Sequence, residues 1–386
     1  MMEERRLPET HEILKNTVRE FVSRKIAPLA AIMDEKDEFP VEIFREMGKM
    51  GLLGITIPEE FGGSGMDYLA QAIVTEEIAY ESASLALSYA AHSNLCLDNL
   101  YRNGSAEIRE RFVPKLCSGE WIGSLAMTEP GSGSDALAMK SQAVRENGRY
   151  YLSGSKTLIT NAPYSDLFLT YARTDDGHSA FTVLSTDKGF SRGNKFSKMG
   201  MRGSPTGTVF FDRVELDHSR ILGKIGDGKH IMLSGLNSER IILAFLFIGV
   251  ARKALDTALK YSMERKQSNR HLYEFQLIEE KLAYMYVRYR TSRLISQDAL
   301  VKVEGDPLDS LSAASAVLHA SESAEYIARE AIQIHGGYGY VKDFGVERLL
   351  RDAILGQIGG GTTEIRKHLI SSALVKSYKR DGVIPE

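Results

Sequence analysis

One short stretch combines glycine, proline and hydroxyl side chains at a spacing that could carry chemistry. Residues 125–135 read L-A-M-T-E-P-G-S-G-S-D. A tight polar turn of this kind can expose backbone N–H groups to a bound anion or ring system, although an ordinary surface loop has the same composition. No Gly-Lys-Ser/Thr follows, so the stretch is not a Walker loop, and it does not read as the dinucleotide-binding G-x-G-x-x-G.

A carboxylate in the C-terminal part of the chain could act as a base. Glu239 shares one helical face with Leu236, Leu243 and Leu246. A lone carboxylate on an apolar face is costly unless it is paired or protonated, and burial raises its pKa. The spacing therefore fits a catalytic base, a core glutamate paired with an arginine, or a solvated helix start, and the residues alone leave all three open.

The elements that must position these residues fall into three stretches along the chain. Helical periodicity with Gly and Pro breaks predicts helices over residues 40–50, 68–91, 107–116, 232–265, 275–304, 308–335, 346–352 and 363–378. Short β-branched and aromatic runs between turns predict strands over residues 150–152, 167–171, 180–184 and 208–211. We therefore expect a mainly α protein with an N-terminal helical domain, a middle antiparallel β domain and a C-terminal four-helix bundle, over residues 1–121, 122–228 and 229–386.

The composition excludes several classes of function. The chain has 386 residues and a formal net charge of −3, without the basic excess of a nucleic-acid binder. The two cysteines, Cys96 and Cys117, are too few for a disulfide framework or an all-cysteine zinc site, and no metal is expected. Residues 1–10 carry no apolar signal core, and the longest apolar run, residues 241–250, is shorter than the roughly 20 residues of a membrane span. We expect a cytoplasmic protein.

Several motifs, in order and at consistent spacing, together resemble the acyl-CoA dehydrogenase family, and its isovaleryl-CoA branch most closely. They include S-Y-A-A-H-S-N-L-C-L at 88–97, G-E-W-I-G at 119–123, the turn at 125–135, M-G-M-R-G-S at 199–204, residues 234–244, Q-I-H-G-G-Y-G at 333–339 and R-D-A at 351–353. The match runs over most of the chain. The family fold has the same three domains in the same order as the pattern predicts.

The resemblance implies FAD as the cofactor. By this resemblance, donors lie at the edge of the flavin ring where negative charge grows on reduction. The residues assigned to the ring are Leu125, Ala126, Met127, Thr128, Gly133, Ser134, Leu158, Ile159 and Thr160. The resemblance assigns to the pyrophosphate and adenosine of FAD in a neighbouring subunit, and to the closing loop, Arg265, Gln276, Gln333, Gly336, Gly337, Thr362, Thr363 and Glu364. Leu158 replaces a family aromatic and residues 266–269 replace a family x-A-F-G, so we expect weaker contacts there.

The resemblance also selects the base. Many family members carry a loop glutamate where this chain has Gly360, whereas the isovaleryl and long-chain branches carry it at the position of Glu239. We therefore predict that Glu239 removes the α proton of an acyl-CoA thioester, with Glu129 and Glu364 as fallback candidates. The positions that match substrate contacts are Ser134, His230, Asn237, Ser238, Arg240, Gly360 and Gly361.

The predicted reaction is α,β-dehydrogenation of a short branched-chain acyl-CoA such as isovaleryl-CoA, since Gly359 and Gly360 leave room beside the β carbon. A straight-chain medium- or long-chain dehydrogenase is the first alternative. The others are a flavin monooxygenase or oxidase on the same scaffold, and a non-enzymatic relative that binds acyl-CoA. By resemblance, the electron acceptor is an electron-transfer flavoprotein and the chain forms a homotetramer.

Overall fold

The N-terminal third of the chain is helical. The computed structural model describes residues 7–385, so most of the segment examined for a signal core, residues 1–6, lies outside the described residues. Seven helices, α1 to α7 in chain order, precede the first strand: Glu9–Phe21, Ala30–Lys36, Val41–Lys49, Tyr68–Glu81, Ala83–Ala90, Asn99–Asn103 and Ala106–Cys117.

The single helix predicted over residues 68–91 is wrong, because the structure divides it at Ser82. The backbone of Ser82 is extended, and its hydroxyl accepts a hydrogen bond from the N–H of Leu85. Serine is a favoured N-cap because its side chain satisfies an amide that has no partner within the helix. Helix α5 begins there, and π-helical backbone at Ala91–Asp98 follows it.

The middle of the chain forms one twisted sheet. Its strands, β1 to β8, are Gly123–Ala126, Gln142–Glu146, Arg149–Thr160, Leu167–Thr174, Gly177–Leu184, Phe190–Lys195, Thr206–Leu216 and Ile221–Leu222. The order across the sheet is β6-β7-β3-β2-β4-β5-β8, with β1 paired to β4. Most pairs are antiparallel as expected, but β1 and β2 each run parallel to β4. Strand β1 ends at Ala126, and Thr128 beyond it lies beside the end of β3, where its carbonyl accepts from the N–H of Thr157.

Long helices make up the C-terminal part. They are α8 to α12, separated after α8 by a short hairpin of β9 and β10: Gly228–Glu264, Lys266–Gln267, Arg270–His271, Gln276–Gly305, Ser310–His335, Val346–Ile354 and Thr363–Asp381. Helix α10 packs against α8, α9 and α12. Within residues 7–385, α8 is the one helix long and apolar enough to cross a membrane, and 83% of its most apolar window is buried in the fold. That burial is typical of a core helix.

Buried ion pairs join the N-terminal helices to the bundle. Arg252 of α8 donates to both Glu76 and Glu77 of α4, at 2.7 and 2.8 Å. Arg293 of α9 donates to the same Glu76 at 2.6 Å. Two buried carboxylates side by side are tolerated only when they are paired, so this network ties α4, α8 and α9 together.

A turn of the β domain meets both helical regions. Met201, in the M-G-M-R-G-S motif, donates its N–H to the carboxylate of Asp352 on α11 at 2.5 Å. Beside it, Arg351 pairs with Asp34 on α2 at 2.6 Å. A Cβ added to Gly200 would lie 2.2 Å from the carbonyl oxygen of Arg351, which explains the glycine. The domain boundaries near residues 121 and 228 remain a prediction.

Candidate active site

Helix α8 places Glu239 inside the molecule. Residues 237–251 of this helix are all buried, and Glu239 is 9% exposed among them. The apolar face predicted from Leu236, Leu243 and Leu246 packs into the core as expected. The structure thus excludes a solvated helix start.

The Glu239 carboxylate has no hydrogen bond or ion pair with any side chain among residues 7–385. Burial raises its pKa to about 7, although the positive charges of Arg240 and Arg366 act in the opposite direction. Desolvation penalises the charged form of a carboxyl group, and neighbouring cations favour it. A carboxyl group balanced near neutrality can accept a proton at physiological pH.

The loop before α12, residues 356–361, faces Glu239. A Cβ added to Gly360 would lie 3.8 Å from the carboxyl carbon of Glu239 and 2.6 Å from Leu243 Cδ1. Gly360 has φ +68°, a left-handed conformation that favours glycine. A side chain at position 360 and the side chain of Glu239 would therefore enter one space, and in this chain the helix supplies the carboxylate.

One predicted substrate residue, Arg240, holds this loop against α8, and a second, Asn237, orients that arginine. Arg240 Nη1 donates to Asn237 Oδ1 at 2.9 Å, and Arg240 Nε donates to the carbonyl of Gly360 at 3.4 Å. Asn237 Nδ2 in turn donates to the carbonyl of Pro307 at 3.1 Å. Ser238 bonds back to the carbonyl of Gly235 within the helix at 3.0 Å. The buried arginine is thus bonded to neutral groups rather than to Glu239.

Other predicted substrate residues lie away from Glu239. His230 is exposed on α8 nine positions earlier, which is about 13 Å along a helix axis. Ser134 is exposed in the turn that follows β1. Gly361, with φ +95°, lies beside Arg240, since an added Cβ would be 3.7 Å from Nη2. The structure therefore gathers Asn237, Arg240 and the glycines, and leaves His230 and Ser134 at the surface.

The turn after β1 is fixed from beneath by a buried ion pair that the sequence reading missed. Lys156 on β3 is fully buried and donates to Glu129 at 2.8 Å and to the carbonyl of Met127 at 3.0 Å. Glu129 also accepts from the N–H groups of Lys140 and Ser141. The signal that could have indicated this pair is the position of Lys156 on a strand whose residues alternate between buried and exposed. A lysine on the buried face of such a strand requires a partner.

The two alternative candidates for the base, Glu129 and Glu364, both have lowered pKa values. Burial acts to raise the pKa of Glu129, but the hydrogen bonds from Lys156, Ser141 and Lys140 outweigh it and lower the pKa to about 2. Glu364 is exposed in the first turn of α12, and local hydrogen bonds, first with its own N–H and then with Thr362, lower its pKa. Both carboxylates are therefore poor proton acceptors at neutral pH.

Of the residues assigned to the flavin ring, Thr128 and Leu158 lie where the turn after β1 meets the end of β3. The carbonyl of Thr128 accepts from the N–H of Thr157 at 2.8 Å, which joins the turn to the end of β3. Leu158, at φ +57°, is 60% exposed there, while Ile159 is buried and Thr160 half-buried. An exposed apolar side chain near the half-buried Thr160 suits a flat amphipathic ligand.

A histidine supports this turn from the helical side. His92 is buried; its Nδ1 accepts from the N–H of Gly123 at 2.9 Å, and Nε2 donates to the carbonyl of Leu116 at 3.0 Å. Burial lowers the pKa of His92 to about 4, so the ring is neutral. It fixes the start of β1 on the π-helical segment.

A second predicted cluster forms a separate pocket of about 590 Å³. Arg265, Gly336 and Gly337 line it, whereas Gln276 and Gln333 are exposed residues outside the lining. Tyr261 stacks on His335 there with ring centroids 4.2 Å apart, and the further aromatic residues of the lining are Tyr338 and Phe344. Residues 266–269, which differ from the family sequence, lie in a tight hairpin. The aromatic surface of the pocket comes instead from Tyr261, Tyr338 and Phe344.

The closing-loop residues are used locally. Thr362 caps α12 by accepting from the N–H of Ile365 at 3.4 Å. Thr363 donates its hydroxyl to Gln357 Oε1 at 2.6 Å. These contacts order the end of the 356–361 loop. In the part of the chain that is described, no three His, Cys, Asp or Glu side chains group closely enough to hold a metal ion, and Cys96 and Cys117 are buried and unpaired.

Comparison with known families decides the identity of this arrangement. Three family models match in order: the N-terminal domain of acyl-CoA dehydrogenase at residues 8–120, the middle domain at 124–214 and the C-terminal domain at 226–375. This chain belongs to the acyl-CoA dehydrogenase family. The resemblance and the fold class expected from the sequence are confirmed, and the protein is an acyl-CoA dehydrogenase, an oxidoreductase.

Individual relatives of this acyl-CoA dehydrogenase cover almost its full length. Mitochondrial isovaleryl-CoA dehydrogenase of Oryza sativa subsp. japonica is 41% identical over 375 residues, 95% of this chain and 92% of the relative. Mitochondrial 2-methylacyl-CoA dehydrogenase of Solanum tuberosum is 38% identical over 377 residues, 96% and 92% respectively.

Solved structures of similar proteins share the whole fold. Butyryl-CoA dehydrogenase from Megasphaera elsdenii superposes with a TM-score of 0.94 at 32% identity, covering 97% of this chain and 100% of that one. A glutaryl-CoA dehydrogenase from Mycobacterium smegmatis, solved in complex with FADH2, has a TM-score of 0.92 at 28% identity, covering 96% and 95%.

Proposed function

We propose that this acyl-CoA dehydrogenase oxidises a short branched-chain acyl-CoA to its 2-enoyl-CoA, with Glu239 as the base. The observation that carries the proposal is a buried carboxyl group without a bonding partner among residues 7–385, facing a glycine at position 360. Burial raises the pKa of Glu239 to about 7. It is therefore matched to removal of a weakly acidic α proton in a dry site.

The proposed chemistry divides between the chain and its cofactor. Glu239 accepts the α proton, and FAD, when bound, supplies the acceptor for the β hydride. The N–H of Gly360 has no acceptor within residues 7–385, which leaves it free to donate to the thioester oxygen as enolate charge develops. Arg240 and Asn237 hold Gly360 against α8 by hydrogen bonds to neutral groups. These contacts hold Gly360 in the loop that faces Glu239.

The residues present fit FAD in two places. The exposed Leu158 and the polar turn at 125–135 offer an apolar surface beside hydroxyl side chains. The pocket is lined by Arg265, by Asp343 and by two glycines where an added Cβ would meet nothing within 4 Å. An arginine beside open glycine backbone suits a pyrophosphate. Because no residue of the β domain lines that pocket, we propose that FAD bridges two subunits of a homotetramer.

The proposed substrate is isovaleryl-CoA or a compound of similar shape. Support comes from the names of two relatives, isovaleryl-CoA and 2-methylacyl-CoA dehydrogenase, both of which concern branched acyl groups. It also comes from Gly360, which places no side chain beside Glu239, whereas Gly359 faces Leu355. We further propose an electron-transfer flavoprotein as the acceptor. The unpaired buried cysteines suit the cytoplasm, the proposed location.

An anaerobic spectral titration of the yellow protein tests the proposal. Isovaleryl-CoA should bleach the flavin band more readily than isobutyryl-, butyryl-, octanoyl- or palmitoyl-CoA, and the Glu239→Gln variant should keep its colour but resist bleaching. Preferential bleaching by a straight chain would overturn the substrate assignment. Bleaching of the variant at the normal rate would remove Glu239 as the base.

Rapid reaction of the reduced protein with oxygen would point to an oxidase or monooxygenase, and a colourless protein that cannot be loaded with FAD would point to a non-enzymatic relative. Either result would replace the proposed dehydrogenase activity for this chain.

A further inference from the structure

Arg366 is a buried cation that no prediction from the sequence included. It is the fourth residue of α12 and is 0% exposed. Helical side chains lean towards the N-terminus, so its guanidinium lies near the positive end of the helix dipole. A cation there, taken out of water, is doubly unfavourable, so it requires some compensating interaction.

The hydrogen-bond partners of Arg366 are all neutral. Its Nη1 donates to the carbonyl of Gly356 and to Ser321 Oγ, the latter at 3.2 Å, and its Nη2 donates to the carbonyl of Gly359. Its Nε is buried and has no hydrogen-bond partner among residues 7–385. These bonds hold the start and the middle of the 356–361 loop, but they bring no opposite charge.

A negative charge opposite Arg366 is available from Glu239, on the other side of the 356–361 loop. A Cβ added to Gly360 would lie 3.8 Å from Arg366 Nη2 and 3.8 Å from the carboxyl carbon of Glu239. The guanidinium and the carboxyl group therefore flank one point without touching. The other carboxylate whose charge reaches Arg366 is Glu322, which is half-exposed and pairs with Lys367 at 3.1 Å.

We propose that Arg366 is a positioning residue for Glu239, holding the 356–361 loop in front of the carboxyl group and favouring its ionised form by charge. The inference rests on the proposed function only in treating Glu239 as the base. Its electrostatic part concerns two side chains of this protein and can be measured without turnover.

The charges around Glu239 support this role. Among residues 7–385, Arg240 on the same helix and Arg366 on α12 are the charged groups that act on it, and both lower a pKa that burial raises to about 7. Burial, and then the charge of Arg240, lowers the pKa of Arg366 to about 10, so it stays charged at neutral pH. Arg240 bonds to Asn237 and Gly360. Removal of Arg366 would leave one cation to oppose burial.

The test is a pH titration of Glu239 in the FAD-loaded protein by infrared difference spectroscopy, with the Glu239→Gln protein as reference. Arg366→Gln should move the midpoint upward by about one pH unit, because a nearby cation shifts a carboxyl pKa by roughly that amount or more. Arg366→Lys keeps the charge and should move it by less than half as much. Lys367→Gln removes an equal charge from the surface of the same helix and should leave it unchanged.

Kinetics supply the second readout. For Arg366→Gln the acid limb of kcat/KM should move with the infrared midpoint, giving about a fivefold loss at pH 7 that higher pH restores. Ser321→Ala removes one hydrogen bond and no charge, so its acid limb should stay in place.

An infrared midpoint that is the same in wild type and Arg366→Gln would overturn the inference. If Arg366→Gln does not fold, a shift in Arg366→Lys as large as about one unit would overturn it instead. Failure of the proposed function is recognised separately, because a Glu239→Gln protein that is still bleached by substrate disproves the base assignment while the infrared titration still measures the link between the two side chains.

Discussion

At the residue scale, the fold buries the carboxyl group of Glu239, and this burial costs free energy when the group is ionised. Glu239 is buried with Arg240 and Arg366 near enough to act by charge but not to bond. A directly paired carboxylate would have a depressed pKa, as Glu129 does beside Lys156. Glu129 thus anchors a turn as a carboxylate, whereas Glu239 can accept a proton at neutral pH. The difference is that hydrogen-bond donors contact Glu129 directly.

Stability should record that cost as a function of pH. The folded-state pKa of Glu239 is about 7 against an ordinary value of 4.5, so the folded protein retains a proton that the unfolded chain releases. Its contribution is complete below pH 4.5 and is lost as pH rises through 7. Urea unfolding should show Glu239→Gln more stable than wild type at pH 8, by up to about 3 kcal/mol at roughly 1.4 kcal/mol per pKa unit.

The gain of Glu239→Gln should disappear at pH 4.5. Glu364→Gln is the matched control, because that carboxylate is exposed and local hydrogen bonds lower its pKa. It should show no gain at pH 8. Equal stability of Glu239→Gln and wild type at both pH values would contradict the raised pKa.

The ion pair of Lys156 and Glu129 should behave as a unit. Lys156→Met leaves Glu129 buried without its cation and should cost about 3–5 kcal/mol in unfolding free energy, with loss of FAD retention as the turn loosens. Lys156→Met combined with Glu129→Gln should recover much of that stability. Chemical denaturation of the two single variants and the double variant measures the coupling, and simple additivity of the two single effects would contradict it.

At the element scale, the 356–361 loop connects three helices around the site. Arg240 of α8 holds Gly360, and Arg366 of α12 holds Gly356 and Gly359. Ser321 of α10 completes the contacts. Because each anchor comes from a different element, the loop is set by tertiary contacts rather than by its own composition, which is rich in glycine and flexible by itself.

Gly360→Ala should damage the site, whereas Gly359→Ala should not. A side chain at 360 must adopt φ +68° and lies 2.6 Å from Leu243 Cδ1, so about 1–2 kcal/mol of stability and much of kcat/KM should be lost. At 359 the nearest atom to an added Cβ is at 3.4 Å, ordinary contact with Leu355. Steady-state kinetics and thermal unfolding of both variants make the comparison, and equal effects would contradict it.

At the scale of the whole molecule, the chain carries two candidate FAD contact regions that do not meet. One lies at the end of β3 around Leu158, and the other is the pocket of Arg265, Gly336 and Gly337. Exposed apolar side chains on α9, among them Leu277 and Tyr284, add an uncovered surface to the bundle. A second copy that completes the cofactor site would explain both features together.

Arg265→Ala should therefore weaken FAD retention while leaving the base intact. The lost cation lines the pocket, so the ratio of flavin to protein absorbance should fall when the diluted protein is desalted, and added FAD should restore turnover. Arg270→Ala is the control. Arg270 lies on the adjacent hairpin, pairs with Glu274 and does not line the pocket. Equal FAD loss in both variants would argue against this pocket as the pyrophosphate site.

Local patterns in the sequence determined the three-part order of elements, the buried face that carries Glu239, and the motifs that identify the family, because periodicity and turn residues act over a few positions. The tertiary structure alone decided that Gly360 faces Glu239, that Arg366 flanks the same point, that Lys156 supports the turn after β1, and that Ser82 divides a predicted helix. The first three depend on contacts between residues far apart in the chain, which no local pattern specifies. They follow from the packing of α8, α12 and the sheet. Among residues 7–385, that packing leaves the carboxyl group of Glu239 buried without a direct donor and with a pKa of about 7.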